Sequence, residues 1–440
     1  MAEQSVLYSY MFTLAIVLLP ILNSYEFPIR KIGFGEFWLI IIMVIGVKYI
    51  WSYFREIIKK NNFRSGIMSG YMKLHWPYAV FLLYSILISV AAYFFTPSYS
   101  IVEVVGRLSR QLLYGVVLII YVPLFFKPMK AFKYYKIIVS VAVIYLILQV
   151  ALRQFDYSLY PNFIPTDLLY TIKNSTDFRF HYNLNIMENF RPTSFFLEPA
   201  YYVQYAVPFI AMALFSEKRT ISSWMMITLM ILTVFITKSA NGIVYLGIVI
   251  ASYFVYRLYK FENKFKYLYT IVIVLVFANI FAVLFYMDNN YVLSILGRFS
   301  EVGIGKGNTS GNIRILRGFL IFLAVSGVFK IFGYGFGNYS SFKEDYHIHT
   351  EMDRYVANTD YMSGFTQILT SGGVIGISLF LYSLYRYTNK TRAISIVLSV
   401  LIVVMMISSS FYANPVYLLL MSFLISYSTE NDKIEMVEGA

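Results

Sequence analysis

Cysteine is absent from this 440-residue chain, so no disulfide framework holds it. Charge is scarce as well. Asp, Glu, Lys and Arg make up 13% of the residues, where a soluble domain carries about 25%. No segment is polar enough for a soluble domain that folds alone, and no repeat of fixed period is present. The Gly-Lys-Ser/Thr phosphate loop is missing, as is the Asp-x-Asp metal motif of nucleotide-sugar transferases. The N-terminus, Met-Ala-Glu-Gln-Ser, has neither a basic region nor a small-residue cleavage pattern. The first apolar run is therefore expected to be retained.

What fills the chain is apolar. Hydrophobic residues are 59% of the sequence, and the mean hydropathy is +0.64. Apolar runs of roughly 18–22 residues recur from end to end, the length that crosses a bilayer as a helix. The 41 Tyr and 39 Phe exceed what two interfacial belts need. The formal charge of +13 does not point to nucleic acid. In a membrane chain, excess Lys and Arg report topology and affinity for anionic lipids or lipid phosphates.

The pattern predicts an all-α polytopic protein forming one integral membrane domain over residues 1–440, with about twelve spans. They are placed at 6–23, 35–54, 76–96, 110–126, 137–155, 199–215, 221–237, 241–256, 267–286, 360–384, 393–410 and 414–428. About eighteen Lys and Arg fall on the short loops of one side and about five on the other, which makes the first side, with both termini, cytoplasmic. Two long loops then face outward, 156–198 and 287–359. Loops of this length in a compact protein are usually functional. Within the second, Phe319 to Phe332 is apolar but too short to span comfortably. It reads as an interfacial or re-entrant helix.

The groups able to do chemistry collect on these outer loops. The first ends in Arg191-Pro-Thr-Ser-Phe-Phe-Leu-Glu198-Pro199-Ala200. Pro199 suits the first position of a helix, which leaves Glu198 beside a helix N-terminus. Arginine suits phosphate because its planar fork is always charged. Glu198 is a candidate proton acceptor. The pair also fits a plain loop-ordering role. The second loop offers Arg298, Arg314 and Arg317 around a glycine-rich run. Arg314 and Arg317, three apart, share a face on a helix. A glycine run before a helix can form a phosphate nest.

Lys238, in the hairpin Thr237-Lys-Ser-Ala-Asn-Gly242, either adds to a basic site or marks the interface. His347 and His349 are spaced i, i+2 but lack a convincing third ligand, so no metal is assigned. One of the two is a candidate for proton transfer. Arg107 and Arg110 are weaker candidates, and His75 reads as structural. Few ionisable residues lie deep in the spans, which disfavours a proton-coupled transporter.

Four of these places resemble the Wzy-type O-antigen and capsule oligosaccharide polymerases, relatives of the O-antigen ligases. Arg191-Pro-Thr-Ser-Phe-Phe-Leu-Glu198-Pro199 resembles the family's Arg-x-x-Ser-x-Phe-x-Glu-Pro signature. Thr237-Lys-Ser239 stands where the family often has Thr-x-Ser, though its usual following arginine is missing. Asn312-Ile-Arg314 to Gly333-Tyr-Gly335-Phe-Gly337-Asn338 resembles its arginine, helix and glycine-turn run. Asn358-Thr-Asp360 to Gly372-Gly373-Val-Ile-Gly376 resembles the approach to the next span, with Asn-Thr in place of a common His-Asn.

The resemblance implies a GT-C-like membrane fold in a bacterial inner membrane, with the active site on its outer face. It implies a transfer between two undecaprenyl-diphosphate-linked glycans, donor and acceptor, without cofactor or metal. A chain-length regulator is a candidate partner. Arg191, Arg314 and Arg317 would stabilise diphosphate, with Arg298 and Lys238 in support. Glu198 would accept the hydroxyl proton, with His349 in reserve. The alternatives are an O-antigen ligase acting on lipid A core, and a polysaccharide flippase or transporter.

Overall fold

A chain this apolar must satisfy its backbone within each crossing segment, which favours helices. The computed structural model describes residues 2–25, 33–59, 66–155, 191–196, 198–216, 221–260, 310–348, 350 and 362–429. Helices make up the regular structure of the described residues, with no strand among them. Seven are long and apolar enough to cross a membrane: Gln4–Leu22, Phe34–Tyr53, Lys73–Phe94, Ile101–Phe125, Pro128–Leu152, Ala240–Lys260 and Gly364–Tyr387. The protein is an all-α, multi-pass membrane protein. Four shorter apolar helices, Pro199–Phe215, Ile221–Ile236, Ala393–Ser408 and Pro415–Thr429, coincide with four more of the expected spans. The expected span 267–286 lies outside the described residues.

The helices are α1 (Ala2–Leu22), α2 (Phe34–Lys59), α3 (Gly66–Ala91) and α4 (Ile101–Val116), which runs through a π-helical turn into α5 (Val122–Phe125). Then come α6 (Pro128–Phe155), α7 (Pro199–Phe215), α8 (Ile221–Ile236) and α9 (Ala240–Lys260). The last part holds α10 (Ser310–Ala324), α11 (Gly327–Phe332), α12 (Tyr339–Asp345), α13 (Gly364–Tyr387), α14 (Ala393–Ser408) and α15 (Pro415–Thr429).

They fall into two compact units, residues 1–135 with 312–440, and residues 136–311. In the first, α15 is the innermost helix. Every residue from Val416 to Ser426 is buried, as expected of a helix that is apolar all round. The helices α1, α5, α13 and α14 pack on it. Tyr8 Oη donates to the Ile42 carbonyl at 3.0 Å and ties α1 to α2. In the second unit, α7 packs on both α8 and α9. A Cβ at Gly242 would lie 2.7 Å from Val203 Cγ1, so glycine is what lets α7 and α9 approach. Tyr202 Oη and Thr233 Oγ1 share a hydrogen bond of 2.7 Å between α7 and α8.

One expected element differs. The apolar stretch Phe319–Phe332 is two helices, and the first starts nine residues earlier, at Ser310. Ser326 is extended (φ −66°, ψ 161°) and its carbonyl accepts from Lys330 at 3.1 Å, so a new helix starts there. Gly327, which follows directly, is the weakest helix former after proline.

Candidate functional site

The loop before α7 begins with restraint. Each proline fixes its own φ and removes a donor, so Pro192 and Pro199 narrow what lies between them. Ser194 takes a left-handed conformation (φ 56°), which costs a residue with a Cβ about 1–2 kcal/mol. Three hydrogen bonds offset that cost. The amide of Gln149 on α6 clamps the Ser194 backbone: Oε1 accepts from its N–H at 2.9 Å and Nε2 donates to its C=O at 3.3 Å. Ser194 Oγ donates to the Ala142 carbonyl at 2.7 Å. Phe195 stacks on Tyr145, ring centroids 4.6 Å apart, while Phe196 packs on Tyr202 and Tyr205. The loop is thus fastened to α6 on one side and α7 on the other.

Two of the candidate residues meet here, the side chain of one on the backbone of the other. Arg191 Nη2 donates to the Lys238 carbonyl at 3.5 Å, the long end of hydrogen bonding. Lys238 is itself left-handed, φ 51°. Strained backbone on non-glycine residues gathers where geometry is over-determined, often at functional positions. Beyond it, Ser239 Oγ accepts from the Gly242 N–H at 3.4 Å and caps α9. Glu198 occupies the N-cap of α7, and its carbonyl accepts from Tyr201 and Tyr202. Its carboxylate makes no capping bond. Pro199 is the first residue of the helix, as its sequence position predicts. The site in this unit is the Arg191 guanidinium on the backbone carbonyl of Lys238, with half-buried Glu198 seven residues further along the chain.

The first unit holds the other described candidates on α10. Arg314 and Arg317 are helical, so their spacing of three does place them one turn apart. Their surroundings differ. Arg314 is half-buried, and its carbonyl accepts from the Ser363 N–H at 2.7 Å, joining α10 to the N-cap of α13. Arg317 is 0% exposed. Its guanidinium lies over the Tyr339 ring at 5.5 Å, and Nη2 donates to Tyr339 Oη at 3.3 Å. The Arg317 guanidinium is thus enclosed within the protein, on the Tyr339 ring. The run Gly333–Asn338 is a turn in which all three glycines have positive φ. His347 is exposed and left-handed (φ 51°). Arg298, His349 and the glycine run 303–307 lie outside the described residues.

The structure also brings forward Glu36 and Tyr412, which no sequence pattern singles out, and places Arg110 and His75. Glu36, at the start of α2, is buried and receives both Arg110 Nε at 2.8 Å and Nη2 at 3.2 Å. Tyr114 Oη donates to the same carboxylate at 3.0 Å. Arg110 is therefore a structural partner joining α2 to α4. Tyr412, between α14 and α15, is 7% exposed, and its hydroxyl meets no hydrogen-bond partner among the described residues. Burial among aromatic rings pushes that phenol well above its usual range, with the Tyr78 phenol adding and Arg107 opposing. His75 is buried, with Nδ1 3.0 Å from Tyr387 Oη, in keeping with a structural role. No spacing or period in the sequence flags these contacts, because each joins helices far apart in the chain.

No family model matches this chain, and no curated protein matches it.

Proposed function

We propose that this protein polymerises lipid-linked oligosaccharide repeat units. A hydroxyl of the incoming undecaprenyl-diphosphate-linked unit attacks the anomeric carbon of the growing glycan. The new glycosidic C–O bond forms as the bond to the donor's diphosphate breaks. The electron pair leaves with undecaprenyl diphosphate, and the hydroxyl proton goes to the Glu198 carboxylate. Such a transfer needs fixed positive charge where the diphosphate leaves, and a positioned base for the proton. Arg191 and Lys238 supply the first. Arg298 and Arg314 are further diphosphate contacts; the reaction involves two lipid-linked diphosphates, donor and acceptor. Arg317 holds the Arg314 helix from behind, through Tyr339. His349 is the reserve proton carrier. Both termini are cytoplasmic, about twelve helices cross the bacterial inner membrane, and the chemistry takes place on the outer face.

The observation that carries this reading is the Arg191 guanidinium bonded to the backbone carbonyl of Lys238, on two backbone-strained loops, in the same unit as a Glu198 carboxylate that its helix does not use as a cap. The donor is activated before it arrives, which suits a site without a nucleotide or phosphate-loop motif. The test is genetic. Arg191→Ala and Glu198→Gln protein should remain in the membrane while surface glycan collapses to single repeat units. Normal long chains from both variants would contradict the proposal.

A further inference from the structure

The helix α13 is broken inside its apolar length. At Gly373 the backbone turns to φ 65°, ψ −169°, and the carbonyls just before it lose their helical partners. In a membrane each such group must find another donor, and three carbonyls before the break have one. Tyr334 N–H donates to the Thr370 carbonyl at 3.3 Å and Gly335 N–H to the Ser371 carbonyl at 2.9 Å. Tyr84 Oη, on α3, reaches the Gly372 carbonyl at 3.0 Å. The same hydroxyl lies 2.6 Å from the Phe332 carbonyl. A phenol has one proton, so the two carbonyls share it.

The fit is close on every side. A Cβ at Gly333 would sit 2.1 Å from the Ser371 oxygen, and one at Gly373 would sit 2.2 Å from the Ile331 oxygen. The Tyr84 ring lies over the glycine face of α13, 3.8 Å from a Cβ built at Gly372 and 3.4 Å from one at Gly376. Broken helices in membrane transporters offer their freed backbone to an ion or substrate. Here the chain's own turn and Tyr84 take those groups, so the break is a seat for the turn and not a ligand site. A second fastening lies at the start of α13, where Ser363 N–H donates to the Arg314 carbonyl at 2.7 Å. A Cβ at Gly318 would lie 2.1 Å from Thr366 Oγ1, which shows how closely α10 meets that first turn. From residue 363 to residue 372 is about 14 Å of helix. The segment from α10 to the glycine turn is therefore fixed at both ends of the first half of α13.

We infer that Tyr84 is a positioning residue, whose hydroxyl locks the Phe332–Gly335 turn into the break in α13 and thereby fixes Arg314 on α10. The inference rests on the polymerase reading for what Arg314 does. A displacement of about 1 Å at a group that positions a reacting substrate can cost on the order of a hundredfold in rate.

The test uses the full chain in detergent, with Tyr84→Phe, which keeps the ring and removes the hydroxyl, and Tyr84→Leu, which removes both. Hydrogen exchange at the Tyr334 and Gly335 amides reports the seat without any reaction. Extension of undecaprenyl-diphosphate-linked repeat units reports the function. The expected result for both variants is faster exchange at those amides. Turnover at saturating substrate should fall about tenfold or more, with KM within about twofold of wild type. Unchanged exchange in Tyr84→Phe overturns the inference, and so does faster exchange with normal turnover. Lower thermal stability with normal turnover per folded molecule also overturns it, since Tyr84 would then be packing alone. A wild-type protein that extends no lipid-linked repeat refutes the polymerase reading instead, and the exchange measurement still decides whether Tyr84 holds the turn.

Discussion

Arg314 and Arg317 lie three residues apart on one helix, yet replacing each by alanine should give opposite kinds of defect. Arg317 is fully enclosed, stacked on Tyr339 at 5.5 Å and bonded to its hydroxyl at 3.3 Å. A hydrogen bond from a charged group contributes about 1.5–3 kcal/mol, and a desolvated cation–π contact about 2 kcal/mol. Both involve the same ring and overlap, so Arg317→Ala should cost about 3 kcal/mol in total. That is about a hundredfold in the ratio of folded to unfolded protein. Arg314 is half-buried, and the bond its carbonyl accepts from Ser363 survives replacement of the side chain. Arg314→Ala should therefore cost clearly less than Arg317→Ala, about 1 kcal/mol. The assay is the thermal midpoint and yield of each variant in detergent, set beside its surface glycan ladder. Arg317→Ala should lose folded protein and glycan together. Arg314→Ala should keep the protein and shorten the glycan to single units. An Arg317→Ala protein as stable as wild type would refute the reasoning, and so would an Arg314→Ala protein as unstable as Arg317→Ala.

Other consequences follow from the same contacts. Gln149→Ala removes both partners of the Ser194 backbone. It should destabilise the protein by about 2 kcal/mol and reduce polymer length at matched protein level; a normal ladder would show that the clamp does not hold Arg191. Gly373→Ala should abolish folded protein, since its Cβ would lie 2.2 Å from a backbone oxygen at positive φ; recovery of wild-type amounts would show the break relaxes freely. Tyr412→Phe removes a buried hydroxyl that has no partner among the described residues, so stability should stay level or rise by about 1 kcal/mol in a melt at neutral pH; a clear drop would reveal a partner that forms in solution. Because burial raises the Tyr412 phenol above its ordinary value of 10.0, the folded chain keeps that proton while the unfolded chain loses it. Stability should then fall as pH climbs past about 10, less steeply in Tyr412→Phe; identical slopes in the two proteins would contradict the assignment.

The sequence was most legible where one helix answers to itself. Hydrophobic run length places eleven of the twelve expected spans on apolar helices, because a crossing helix satisfies its own backbone and announces itself by length. Pro199 as first helical residue, the shared helix of Arg314 and Arg317, and the glycine turn after α11 follow from local rules of the same kind. What stayed hidden depends on partners distant in the chain. Nothing near Arg317 in sequence says that Tyr339 encloses it, and nothing near Glu36 says that Arg110 arrives from α4. The division at Ser326 is illegible for a related reason: the flanking apolar residues suit either one helix or two, and packing against α13 decides. The double glycine at 372–373 reads equally well as a close helix contact or as a break; only the docked turn makes it a break.

The most direct test of the account is the glycan made by a strain deleted for this gene and complemented with wild-type or Arg191→Ala protein. The account predicts that the deletion and the Arg191→Ala strain both carry surface glycan of a single repeat unit, and that wild-type protein restores the long ladder. A deletion strain that instead accumulates long lipid-linked polymer, or an Arg191→Ala strain with a full ladder, would contradict it.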